Sequence, residues 1–158
     1  MVQALKAKMK EQKGFTLIEL LAVIVILGII AAIAIPAIGN VIKKSDQKAT
    51  VQEGLQIINA AKMYVADHSD TTNIVLDYDT PAAAATTGTN PTPATAPLQD
   101  YLDHVKDNNF VVTVTHDAIT GKYTYVLTGH ASVAIADKAT TGNNDSKSTE
   151  QELTAYTN

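Results

Sequence analysis

The chain has 158 residues, 46% hydrophobic, 5% aromatic and 18% charged, which is apolar material for one modest globular unit. Twelve basic residues, every one a lysine, stand against sixteen acidic ones for a formal net charge of −4, which excludes a basic nucleic-acid groove with bidentate arginine readout as the main design. With no cysteine there is no disulfide framework, thiolate nucleophile, zinc-thiolate site or lipoprotein anchor, and with no tryptophan there is little aromatic surface for a ligand box.

Charge and apolarity are unevenly spread. Residues 1–14 carry Lys6, Lys8, Lys10 and Lys13 against Glu11, a net of +3; the remaining eight lysines and fifteen acidic residues leave 15–158 at −7. From Phe15 to Ile35 run 21 residues whose one ionisable group is Glu19. As a helix this stretch is about 31 Å long, roughly a hydrocarbon core, and it reads as a membrane-entering segment. Lysines followed by an apolar run fit three fates: a cleaved secretory signal, a permanent anchor, or a leader cut before the run. Ala32-Ile33-Ala34 is an acceptable signal-peptidase site, which would release a secreted binding domain starting at Ile35. Glu19 argues against a discarded signal, because an acid inside an inserted helix costs about 2.5–3.5 kcal/mol at the centre, less toward the end. A cut between Gly14 and Phe15 would give that carboxylate a purpose. It creates an α-amino group, with a pKa of roughly 7.7–8.0, four residues before Glu19. An amine on one chain and a carboxylate on its neighbour then neutralise each other and set the longitudinal register of packed identical helices.

The stretch Lys13-Gly14-Phe15-Thr16-Leu17-Ile18-Glu19-Leu20 resembles the type IV prepilin processing motif, shared by pilins and by the pseudopilins of type II secretion and competence systems. The resemblance implies that a membrane aspartyl peptidase cuts after Gly14 and N-methylates Phe15, and that Glu19 assists methylation and subunit recruitment. The Lys-rich, Arg-free leader and the following run look most like pilins of Gram-positive bacteria. The partners so implied are the prepilin peptidase and methyltransferase, identical subunits in a helical filament, an assembly platform and a separate assembly ATPase. The precursor would sit in the cytoplasmic membrane with its leader in the cytoplasm, and the assembled filament on the cell surface. No cofactor is expected, and no strong nucleic-acid binding by the isolated domain.

Helical signal continues beyond the apolar run, where Val51, Leu55, Ile58, Ala61 and Val65 recur at spacings of 4, 3, 3 and 4. One helix of some 50 residues is predicted, with 15–40 as its membrane and polymerisation half and 41–68 as the amphipathic half opening the head. Gly28, Pro36 and Gly39 interrupt it, Pro36 by removing a donor and crowding the preceding turn. The interruption reads as a harmless bend or a functional one, and the resemblance implies a loss of helicity over 28–36 in the filament. Residues 69–109 read as a loop; within it 80–97 hold six Ala, six Thr and four Pro, a connector or a glycosylated or adhesive surface loop. Pro97 to Leu102 suggests a short helix. Strands are predicted at 110–116, 123–129 and 131–137, the first two joined through Gly121, with Phe110, Val112, Val114, Val126, Val133 and Ile135 facing the helix stripe. The expected fold is therefore α+β, a type IV pilin fold: one long N-terminal helix packed by its second half on a small antiparallel sheet at about 110–137. The polar tail 138–158 lacks the cysteine pair that closes this region in many Gram-negative pilins.

Other chemistry is thin. His68, His104, His116 and His130 show no metal-ligand spacing and read as surface residues; Asp67-His68-Ser69-Asp70 reads as a helix end, since neighbours in sequence cannot converge as a catalytic relay. Asn143, Asn144, Asp145 and Glu150 are weak calcium candidates without an EF-hand pattern. Lys43, Lys44 and Lys48 form a cluster beyond the apolar run. No phosphate-binding loop or enzyme constellation is present in the sequence, so the reading is a structural subunit, a major pilin, with a pseudopilin and a secreted binding domain as the alternatives. Motility, adhesion, DNA uptake and secretion share such subunits.

Overall fold

The computed structural model describes residues 17–68, 73–84, 94–140 and 145–157. The chain divides into two compact units, Met1–Lys43 and Lys44–Asn158. Helix α1 (Leu17–Asp67) has 51 residues, the length the sequence predicts, and its assignment runs unbroken through Gly28, Pro36 and Gly39. The subunit by itself is thus helical over 28–36. Helix α1 stops at Asp67, where the Asp67-His68 helix end was expected; Ser69 and Asp70 lie outside the described residues.

In the second unit α1 is followed by β1 (Asn73–Asp77), β2 (Ala94–Pro97), a 3₁₀ turn (Gln99–Tyr101), β3 (Val111–His116), β4 (Tyr123–Thr128), α2 (Ala131–Thr140), β5 (Lys147–Thr149) and α3 (Glu150–Thr157). The strands form one sheet in the order β2-β1-β3-β4-β5. Alternate residues of each strand point one way, so Ile74 and Val114 are partners, as are Leu76 and Val112, and Val112 and Leu127; all five are buried. Against them lie Val51, Ile57, Ile58, Ala61 and Val65 of α1, with Leu98, Phe110, Val133, Ala136 and Leu153 completing the core.

Several expectations are corrected. The sheet is mixed, not antiparallel, because β2 pairs with β1 in parallel. Residues 69–109 are not all loop, since β1 and β2 fall there; Asn73–Asp77 is a short β-branched run, and Ala94–Pro97 takes an edge position where proline is tolerated. Residues 131–137 belong to a helix, not a strand: Ser132, Val133, Ala136 and Asp137 are buried at helical spacing, and Ile135 is only half-buried. In β4 the core residue is Leu127 rather than Val126, a slip of one position that exchanges the faces. The expected short helix is the single 3₁₀ turn Gln99–Tyr101. Gly121 does take the left-handed conformation, with φ of 68°.

The polar tail is pinned without cysteine. Thr149 and Glu152 form a capping box, the Thr149 amide donating to Glu152 Oε2 at 2.8 Å and the Glu152 amide to Thr149 Oγ1 at 3.4 Å. Leu153 is fully buried, Lys62 reaches Glu150 at 2.5 Å, and Tyr156 donates to Gln47 at 3.2 Å.

Close approach of α1 and α2 depends on Gly54. A Cβ placed there would sit 2.9 Å from Ser132 Cβ, nearer still to its hydroxyl, and 3.3 Å from Leu127 Cδ2. Gly54→Ala is therefore expected to destabilise the head by up to about 2 kcal/mol, because overpacking costs about 1–3 kcal/mol and the gain in helix propensity returns ~1 kcal/mol. Chemical denaturation would measure it. Adding Ser132→Gly to Gly54→Ala should recover part of the loss; no recovery would place the strain elsewhere.

Candidate functional site

The first unit presents its site as a surface. Sixteen large aliphatic residues between Leu17 and Ile42 are exposed, from Leu17 at 87% to Val23 at 47%, whereas among the described residues of the second unit only Met63 and Ile119 match them. The α1 stretch is long and apolar enough to cross a membrane, and its most apolar window has no buried residue. Such a surface is stable only when lipid or other apolar side chains cover it on all sides. Glu19 is the third residue of α1, in its first turn and exposed, where the positive end of the helix favours a carboxylate. Gly28 and Gly39 have no atom within 4 Å of the position of a Cβ, so each leaves a shallow notch on the rod. Pro36 sits inside the helix between them. Gly14 and Phe15, the expected cleavage and methylation positions, lie outside the described residues.

The second unit holds a polar knot that periodicity did not reveal. His130, expected on the surface, is 2% exposed. Its Nδ1 accepts the Ser132 amide at 3.1 Å and lies 2.8 Å from Ser132 Oγ, so the ring proton of the neutral form is on Nε2. That nitrogen has no hydrogen-bond partner; the closest carboxylate is Glu53 Oε2 at 3.9 Å. Glu53 Oε1 accepts the Lys106 amide at 2.5 Å and the Asp107 amide at 3.2 Å, while Asp107 Oδ2 accepts the Ala131 amide at 3.0 Å. Helix α1, the segment before β3 and the start of α2 thus meet at one histidine. Gly129, with φ of 82°, makes the turn into it; a Cβ there would come within 2.9 Å of the Asn109 carbonyl.

Burial pushes the His130 imidazole below its ordinary 6.5, against the pull of Asp107 and Glu53. Below about pH 6.5 the unfolded chain then binds the proton that the folded one refuses, so stability falls with falling pH, by at most about 1.4 kcal/mol per pH unit. Asp137 acts in the opposite sense: burial and the Asp145 charge raise its carboxyl, so its contribution declines as pH rises from 3.8. Melting of the detergent-solubilised chain between pH 7 and pH 5 is expected to show a smaller acid loss in His130→Gln than in wild type. Equal slopes would remove His130 as the cause.

The other histidines behave as expected in part. His68 and His104 are exposed, and His116 is half-buried against Tyr123, with ring centroids 4.5 Å apart. Of the calcium candidates, Asn143 and Asn144 lie outside the described residues, Asp145 Oδ1 accepts the Lys147 amide at 3.1 Å, and Glu150 is engaged by Lys62. Among the described residues no group of three or more His, Asp or Glu side chains is placed to hold a metal ion. Lys44 and Lys48 are exposed, and Lys48 Nζ reaches the Thr157 carbonyl at 3.4 Å.

Comparison with known proteins adds the leader to this picture. The family model of the prokaryotic N-terminal methylation motif matches residues 9–35. The chain is 40% identical over 88 residues to type II secretion system core protein G of Vibrio cholerae, covering 54% of this chain and 57% of that protein. It is 46% identical over 57 residues to the type IV major fimbrial protein FimA of Dichelobacter nodosus, covering 36% and 33%, and 38% identical over 65 residues to core protein G of Escherichia coli, covering 40% and 45%. The chain thus spans between a third and just over half of these relatives, and the Gram-positive likeness draws no support from them. No solved structure matches. An exposed apolar helix that overlaps a methylation motif, with an acid in its first turn and an α+β head after it, is similar to these relatives part by part, and motif and relatives together support the type IV pilin and pseudopilin family for this chain.

Proposed function

We propose that the chain is the structural subunit of a cell-surface filament, cut after Gly14 by a prepilin peptidase, methylated at Phe15, held in the cytoplasmic membrane by α1, and polymerised with identical subunits through that helix. The observation that carries this reading is the run of exposed aliphatic residues over Leu17–Ile42, most of it within the matched methylation motif of residues 9–35. Membrane lipid covers such a rod before assembly, and the same rods packed together cover it afterwards. An assembly platform and ATPase would act in trans. The role is one of structure rather than catalysis. Terminal sequencing and mass of the mature protein test it: methyl-Phe15 at the terminus of a filament subunit is expected, whereas a start at Ile35 would mean a released secreted domain.

A pseudopilin of a secretion system is a second reading: the match to the Vibrio cholerae core protein G covers 54% of the chain and one to a FimA of Dichelobacter nodosus covers 49%, so both likenesses pass the 67 residues up to the end of α1 and their extent does not choose between the two roles. A deletion strain scored for surface filaments and for secreted protein separates this from a major pilin.

Duplex DNA is not an expected ligand of the head. The mature chain carries −7, and phosphate binding needs clustered cations that release counterions. At ~150 mM salt the chain in detergent should give no shift, where nonspecific binders still show Kd of roughly 10⁻⁴–10⁻⁶ M. Micromolar binding would overturn this and favour a DNA-uptake filament.

A further inference from the structure

Ile119 is 96% exposed, the most exposed large aliphatic side chain among the described residues, and it stands at the tip of the β3–β4 hairpin, where polar turn residues are the rule. The turn that carries it is fixed. Asp117 Oδ1 accepts the Ile119 amide at 2.9 Å, Asp117 Oδ2 accepts the Thr120 hydroxyl at 2.6 Å, the Gly121 amide donates to the Asp117 carbonyl at 2.7 Å, and the Asp117 amide to the Lys122 carbonyl at 2.9 Å. Little conformational freedom would be lost on docking such a tip. A cleft of about 420 Å³ is lined by Gln47, Ala134, Ile135, Lys138, Ala139 and Tyr156, three of them aliphatic, with the Tyr156 hydroxyl donating to Gln47.

We propose that the Ile119 tip of one copy seats in this cleft of a second copy, joining heads head-to-tail along the filament. The proposal rests on the reading of the chain as a filament subunit. Shape and charge both favour a second copy as the occupant. An aliphatic knob beside the Asp117 carboxylate meets an aliphatic cleft beside the Lys138 ammonium. Asp117 stays ionised well into acid, because the Thr120 hydroxyl and the Ile119 and Thr120 amides hold its carboxyl below the usual range. The tip precedes β4 and the cleft lies on α2 after it, and with Ile119 96% exposed the tip does not fill the cleft of its own chain. A contact between two different patches leaves a free tip on one copy and a free cleft on the other, which is the condition for an open helical assembly rather than a closed dimer.

The absence of cysteine makes the test direct. Full-length chain carrying Ile119→Cys and Ala139→Cys is expressed in cells, and sheared filaments are mildly oxidised and run without reductant. A ladder of dimers, trimers and higher multiples is expected from the double variant, while each single variant, with no cysteine opposite its own, stays monomeric. Filaments of the double variant that remain monomeric would overturn the contact, whereas absence of filaments from the wild-type chain would overturn the subunit reading itself. Ile119→Asp covers the case in which the double variant does not assemble: processing and the membrane pool are expected unchanged and filament yield several-fold lower. Wild-type yield from Ile119→Asp would overturn the contact as well.

Discussion

Replacing Gly14 with serine, or with anything bulkier, is expected to abolish processing and leave no surface filaments. The matched methylation segment, 9–35, contains the Gly14-Phe15 bond, and a peptidase that accepts backbone without a side chain at this position has no room for a Cβ. The uncleaved leader keeps its net +3 on the cytoplasmic side, and moving that charge through the bilayer opposes extraction of the helix. Immunoblots of membranes should show precursor 14 residues longer than the mature protein, with nothing in the sheared fraction. Wild-type filaments whose subunits have the full-length mass would remove the premise.

The second large effect is expected at Glu19. Glu19→Gln and Glu19→Ala should enter the membrane at least as readily as wild type, because an exposed carboxylate on an otherwise aliphatic rod is the costly group there. Filament yield should nevertheless fall more than about tenfold, which requires the loss of only ~1.4 kcal/mol per subunit contact. The proposed source is the pairing of this carboxylate with the terminal amine of a neighbour, since helices that are apolar on every side can slide past one another without a polar contact to fix the register. Measuring membrane and filament pools of each variant, expressed without wild-type subunits, separates insertion from assembly. Normal assembly of Glu19→Gln alone would mean that shape sets the register. The two variants also differ from each other: the Gly14 change should leave a precursor, the Glu19 change a mature subunit stranded in the membrane.

The sequence alone determined the parts of this protein whose signals are local. A 21-residue apolar run with one acid, a lysine-rich segment before it and a stripe at 3.6-residue spacing after it specify a long helix, its exposed apolar half and its methylation motif, because each depends only on neighbours along the chain. Tertiary structure decided what short segments could not. Residues 131–137 alternate like a strand, yet their small and aliphatic residues serve a helix equally well, and in the fold they bury the helical face Ser132, Val133, Ala136 and Asp137, with Ser132 against Gly54 of α1. The same ambiguity let Val126 stand for Leu127, since a strand face is chosen by its partner, here Val112. Parallel pairing of β1 with β2 joins segments on either side of residues 85–93, and His130 is buried because Glu53, Asp107 and Ser132, from three separate segments, surround it. Burial of these groups is a property of contacts made across the chain, which no periodicity within a single segment encodes.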